Sequence, residues 1–349
     1  MRIFSYRNKQ IIRKGLLIGA IVFGLILLFI LCRFAYLQRF LVYGDGNVTL
    51  NYEMQLNPSK DPEQTDIVPS FSMEIVEDDS QSAVSLADGP LMPMKGYYVT
   101  TPMLLDLPSV TEALEEMEEP PETLLFEMKS IYGNFYYDTD ISGTYTSSAD
   151  IEGIEALIGH YARDGKTYLA ARIPAFTDNN FALDNQSSGL PLKSGALWMD
   201  DEGCYWLDPM SEDVLAFLVS MAEELAGMGF DEIVFDGFRI PDSKNIVYDA
   251  GDWTREEAAA EAAKVLKSAL SELPVRVSFG SESSLVAAYT DRVYLTTDNG
   301  SKVADMVAEV SDLLEYPDAQ IVFQTASRDT RFDGYGILRP LLEGVSGDE

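Results

Sequence analysis

Acids that fall at the ends of apolar runs are the residues best placed for chemistry, and Asp236 leads them. Ile233-Val234-Phe235 reads as a short buried strand that delivers Asp236 where it stops. Gly237 then frees the backbone to turn, and Arg239 and Pro241 close the stretch. A carboxylate at the carboxyl end of a buried parallel strand is where α/β barrels keep their reactive groups. Two further acids stand in comparable places: Glu127, at the end of a predicted strand over 123–128, and Glu282, in Phe279-Gly280-Ser281-Glu282 after a strand over 275–279. Asp298, after a strand over 292–296, is a third choice. Two carboxyls serve acid/base chemistry when their environments split their pKa values, one ionised and the other protonated. Arg172 and Arg239, if they point into the same mouth, keep Asp236 ionised. The competing reading is that Asp236 caps the next loop or pairs with Arg239, and that both arginines make rim ion pairs.

The elements that must position these groups alternate. Strands are expected at 96–101, 123–128, 167–173, 233–235, 275–279, 292–296, 320–324 and 334–338. Helices are expected near 110–118 and at 151–161, the latter burying Ile151, Ile154, Leu157, Ile158 and Tyr161. Asp208-Pro209 has the chemistry of a helix start, with Val214, Leu215, Leu218, Met221, Ala222 and Leu225 on its inner face. A helix over 254–270 is expected to bury Ala258, Ala262, Val265, Leu266 and Ala269, and 302–314 is amphipathic. The stretch from strand three to Asp208 is too long for a plain connection and is suspected of function. Eight strands without a Gly-rich phosphate turn after the first favour a (β/α)8 TIM barrel, irregular at its carboxyl end, over a dinucleotide-binding sheet.

The chain has 349 residues, 46% of them hydrophobic, and a formal net charge of -32. Its first forty residues hold no acid and seven basic residues (Arg2, Arg7, Lys9, Arg13, Lys14, Arg33, Arg39), which leaves 18 basic against 57 acidic residues for the rest. A field of that sign repels phosphate backbones, so nucleic acid is excluded as a partner. Gly15 to Cys32 is an unbroken apolar run, five basic residues precede it, and no small-residue cleavage site follows. That pattern reads as a retained signal anchor with a cytoplasmic amino terminus. The expected order is a basic cytoplasmic tail over 1–14, a single transmembrane span over 15–37, an acidic extracellular linker over 38–94 and the barrel over 95–345. Cys32 and Cys204 are too few and too differently placed for a disulfide framework, and the single His160, on a helix surface, excludes a Ser-His-Asp triad. No zinc spacing or Walker loop is present. Asp138-Thr139-Asp140-Ile141-Ser142-Gly143 opens like a calcium loop, but Ala149 occupies the twelfth position, so it reads as a turn. No metal and no cofactor is expected.

Four stretches carry a family resemblance. They are Lys95-Gly96-Tyr97-Tyr98-Val99-Thr100, Ala171-Arg172-Ile173-Pro174-Ala175-Phe176-Thr177-Asp178, the loop from Trp198-Met199-Asp200 to Leu207-Asp208-Pro209, and Phe230 to Pro241, the closest match. They resemble a bacterial family of glycoside-hydrolase-type TIM barrels, often tethered by an amino-terminal membrane segment. The resemblance covers 95–241 well and the remainder weakly. Glu127-Met128-Lys129 stands where that family usually carries an aspartate followed two places on by a lysine, and its strand-six signature is missing from 293–297. The resemblance implies glycosidic cleavage by two carboxyls flanking the scissile bond. Asp236 is then the nucleophile or base and Glu282 the first choice for the acid, with Glu127 as another; Arg172, Arg239, Trp198, Trp206, Tyr98 and Tyr132 would hold a carbohydrate. The alternative is a non-catalytic carbohydrate-binding or envelope-scaffold barrel.

Overall fold

The computed structural model describes residues 41–44, 47–50, 91–248, 251 and 253–342. The expected tail, membrane span and most of the linker lie outside these residues. Among those described, no helix is long and apolar enough to cross a membrane. The chain divides into two compact units, Met1–Asp78 and Asp79–Glu349. In the first, Leu41–Gly44 and Asn47–Leu50 form an antiparallel hairpin.

The second unit is a closed barrel of eight parallel strands. They are β1 (Lys95–Val99), β2 (Thr123–Glu127), β3 (Tyr168–Pro174), β4 (Glu232–Asp236), β5 (Arg276–Gly280), β6 (Val293–Thr296), β7 (Ile321–Gln324) and β8 (Gly336–Pro340). Each pairs with the next, and β8 closes on β1 through Ile337↔Lys95 and Leu338↔Gly96. The short carboxyl end therefore does complete the ring.

Strand alternation sorts the side chains. Leu125, Ala170, Val234, Tyr294, Val322 and Leu338 pack together inside the barrel, while Phe126, Ala171, Ile233 and Phe235 join the larger outer cluster beneath the helices. That outer layer is uneven. The first half is covered by α1 (Leu107–Glu115), α2 (Ile151–Asp164), α3 (Glu212–Gly227) and α4 (Arg255–Ala269). The second half, among the described residues, has shorter pieces: α5 (Ser284–Ala287), α6 (Val303–Val310) with 3-10 turns on either side at Gly300–Lys302 and Ser311–Leu313, a single turn at Pro317–Gln320 before β7 and a 3-10 turn at Thr330–Phe332 after it.

Two helix expectations need correction. The helix expected from Asp208 begins at Glu212, with Ser211 at its cap. Asp208 instead takes the Met210 amide on its own carboxylate at 2.9 Å, an Asx turn that looks like a cap in sequence but precedes the helix. In α4 the buried face is Ala258, Ala259, Ala260, Ala262, Ala263 and Leu266, whereas Val265 is exposed. Alanines fill most of this face, and Val265 lies outside the arc that Ala262, Ala263 and Leu266 turn toward the barrel.

Candidate active site

Carrying the inward alternation to the carboxyl ends of the strands brings Tyr98, Glu127, Arg172 and Asp236 onto one wall of the mouth. Register sets their heights: Glu127 lies level with Arg172, and Asp236 is level with Pro174, two residues further along β3. Arg172 joins the two acids. One terminal nitrogen bonds Glu127 Oε1, and the other lies 2.5 Å from Asp236 Oδ2. Glu127 also accepts the Thr101 amide on Oε2 at 2.9 Å. Burial works against the guanidinium's charge, but Asp236 and Glu127 outweigh it and hold the Arg172 pKa above its ordinary value. The cluster remains open to solvent, with the side chains of Arg172 and Glu127 19% exposed and that of Asp236 29%. Arg172 Nε is buried without a partner. The Tyr98 hydroxyl is pushed up by burial and then by Asp298, so it is a neutral donor at the edge of the same site.

Local sequence explains why Asp236 can stand there. Gly237, at φ 62°, turns the chain sharply behind it, a conformation that few other residues adopt cheaply. From the neighbouring strand Gly280 contributes no side chain, and a Cβ there would stand 2.0 Å from Asp236 Oδ1. The β4 and β5 exits are stitched together: the Phe238 amide donates to the Gly280 carbonyl at 2.9 Å, and the Ser281 hydroxyl donates to the Phe238 carbonyl at 3.0 Å.

The other expected residues separate. Glu282 is exposed on the β5 exit, two residues beyond Gly280, and bonds neither Asp236 nor Arg172. Arg239 does not reach Asp236; it is exposed and its guanidinium sits 5.3 Å over the Trp206 ring, outside the mouth cluster. Trp206 is buried, and its indole N–H donates to Asp200 Oδ2 at 2.7 Å. It therefore fastens the long β3–α3 loop instead of offering an open face. Trp198 packs beside it, tilted at 6.4 Å and half-buried, while Tyr132 is exposed with its hydroxyl 3.4 Å from the Glu202 carbonyl. Asp298 follows β6; its Oδ1 takes the Thr325 hydroxyl at 2.8 Å and the Ala326 amide at 2.7 Å.

Sequence reasoning missed what holds this wall up. Lys129, just past β2, is buried on Asp178 at 3.0 Å, joining the β2 and β3 exits. A lysine two places after a strand-end acid was the available signal. A surface cavity of about 360 Å³ outside the barrel, lined by Tyr137, Asp138, Asp140, Glu155, Glu224 and Met228, is less suited to chemistry. Its Glu155 and Glu224 carboxylates are occupied by the Asp138 and Asp140 amides and the Thr139 hydroxyl.

The family described as "Putative glycosyl hydrolase domain" matches residues 96–321. The chain belongs to this family. Among solved structures, the α-galactosidase from Lactobacillus brevis is 8% identical with a TM-score of 0.50, the match covering 74% of this chain and 38% of that one. The glycoside hydrolase domain of PelA from Pseudomonas aeruginosa is 13% identical over 71% of this chain and 95% of its own, with a TM-score of 0.46. A hypothetical protein from Ruminiclostridium thermocellum is 23% identical over 52% of this chain and 96% of its own, with a TM-score of 0.44. The first of these likenesses speaks to the barrel fold alone. A search of curated proteins returns no significant match. The family assignment and the barrel together make the domain glycosidase-like.

Proposed function

We propose that the barrel hydrolyses a cell-envelope or environmental polysaccharide, with Asp236 as nucleophile or base and Glu282 as acid. The observation that carries this reading is the half-open Glu127–Arg172–Asp236 cluster at the carboxyl ends of β2, β3 and β4. Asp236, positioned by a guanidinium on one oxygen with its other oxygen unbonded, has the free lone pairs that a nucleophile or base needs. Glu127, held by the same arginine and a backbone amide, suits a positioning role. An acid must take up and release a proton, which favours a carboxyl without such partners. Glu282 is that group, and its Cα is within about 7 Å of the Gly280 Cα that borders Asp236, since two residues span no more. In the reaction the glycosidic C–O bond breaks and the leaving oxygen takes the Glu282 proton. Asp236 either draws a proton from the water that attacks the anomeric carbon, or attacks that carbon itself to form a glycosyl ester, which water deprotonated by Glu282 then hydrolyses to free Asp236.

A second reading, a barrel that binds sugar without cutting it, is favoured by Arg172 joining both inner carboxylates. Release of reducing ends from a polysaccharide panel separates the two. Wild type should release them and Asp236→Asn should not. Release that survives the substitution eliminates the assignment, and binding without release by wild type favours the second reading.

We further infer that residues 15–37 anchor the chain with the barrel outside the cell, on the strength of the apolar run and the basic residues before it. Protease added to intact cells should then digest the barrel; full protection would overturn the orientation.

A further inference from the structure

The opposite wall of the mouth carries a donor that nothing described so far uses. Gln324 is the last residue of β7. Val322 packs inside the barrel and Phe323 outside it, so Gln324 faces inward at the open end. It is only 3% exposed. Its neighbour in register is Thr296 of β6, whose hydroxyl donates to Gln324 Oε1 at 3.3 Å. That contact occupies the oxygen arm of the amide and leaves Nε2 buried with no partner. Leaving a buried donor unused is costly, and folded proteins keep few of them.

The position is also held firmly. Next in the chain, Thr325 is buried, its hydroxyl fixed on Asp298 and its carbonyl taken by Arg339 at 3.2 Å. In the strand order β7 stands four places from β3, directly across the ring. Two inward donors without partners, Gln324 Nε2 and Arg172 Nε, therefore belong to facing walls, with Asp236 beside the second.

We propose that Gln324 is a sugar-binding residue whose side-chain amide donates to a neutral oxygen, a hydroxyl or acyl carbonyl, of the pyranose seated over Asp236. The proposal rests on the hydrolase reading of the mouth. It adds a selection rule: an amide N–H₂ rewards an acceptor and gives nothing to an ammonium group. A site built to bond one hydroxyl also rejects sugars that lack it.

The test titrates the full chain, ¹⁵N-labelled at glutamine, with glucose, galactose and N-acetylglucosamine, reading the Gln324 side-chain N–H₂ pair. Gln324→Met, close in volume, identifies that pair by its absence. At least one sugar should move it. Met at 324 should then weaken that sugar's binding by about tenfold, and Gln324→Glu, an acceptor in place of the donor, by at least as much. In any substrate that wild type cleaves, the loss should fall on KM more than on kcat. A Gln324 signal indifferent to all three sugars, with Asp236→Asn still abolishing reducing-end release, overturns this proposal and leaves the hydrolase reading standing. Undiminished binding by Gln324→Glu also overturns it. A sugar-dependent shift beside release that ignores Asp236→Asn supports Gln324 and removes the catalytic assignment instead.

Discussion

The barrel holds an acid–arginine cluster at each end, and the two are built for opposite purposes. At the amino ends of the strands Glu232 is fully buried. It bonds Arg292 at 2.5 Å, the Ser278 hydroxyl at 2.5 Å, the Tyr168 hydroxyl at 2.8 Å and the Tyr294 hydroxyl at 3.1 Å. Every oxygen of that carboxylate is met from inside the protein. At the carboxyl ends Asp236 meets a single arginine, keeps one oxygen unbonded and remains more than a quarter exposed. Val234 stands between them on the same strand and face. What separates a plug from a candidate site is therefore how completely the acid is satisfied, since residue type and strand are common to both.

This contrast can be broken by substitution, and the greatest stability effect is expected below. Arg292→Met strands a buried charge and should cost about 3–5 kcal/mol, while adding Glu232→Gln should recover much of it. Thermal melts of the single and double variants check this; a single variant that melts like wild type would erase the distinction. Above, Asp236→Asn should lower hydrolysis by about a thousandfold, roughly 4 kcal/mol in the barrier, and barely move the melting temperature. Gly280→Ala probes the space reserved for that acid. Its Cβ would press on Asp236 Oδ1, so activity should fall by about 10- to 100-fold with a stability loss of about 1–3 kcal/mol.

The smallest effect concerns pH. Burial first, then Glu232, raises the Tyr168 and Tyr294 hydroxyls above the ordinary value of 10.0. The fold keeps both protonated while the unfolded chain loses those protons, so the stabilisation is complete below pH 10 and declines as pH rises through it. The loss is about half a kcal/mol per tyrosine at pH 10, and denaturant titrations of Tyr168→Phe against wild type should show a flatter alkaline slope for the variant.

Most of the barrel was legible in the chain because buried parallel strands are continuous apolar runs, and Ile233-Val234-Phe235 or Ile321-Val322-Phe323 cannot easily be anything else. Asp236 was legible for the same reason, as the residue where such a run stops. Its partners were less so. Arg172 was named, but its bond to Glu127 depends on strand register, which no residue of either strand states. Glu232 and Arg292 precede apolar runs and look like ordinary solvated strand starts, and only ring closure encloses them. Arg239 sits two residues beyond Gly237, and the turn there sends it to Trp206 instead of Asp236. Alternation predicts sides well, whereas it is silent on reach.

The pairing of β8 with β1 has a consequence for synthesis. The carbonyl of Tyr98 waits for the amide of Leu341, at 3.0 Å, from the far end of the domain. As the chain is made, the first stave emerges early and one of its edges stays unpaired until nearly everything else has been translated. A premature stop between Gln324 and Gly336 would leave two raw sheet edges, on β1 and β7, free to join other chains. Such fragments should accumulate as aggregates and not as smaller working barrels.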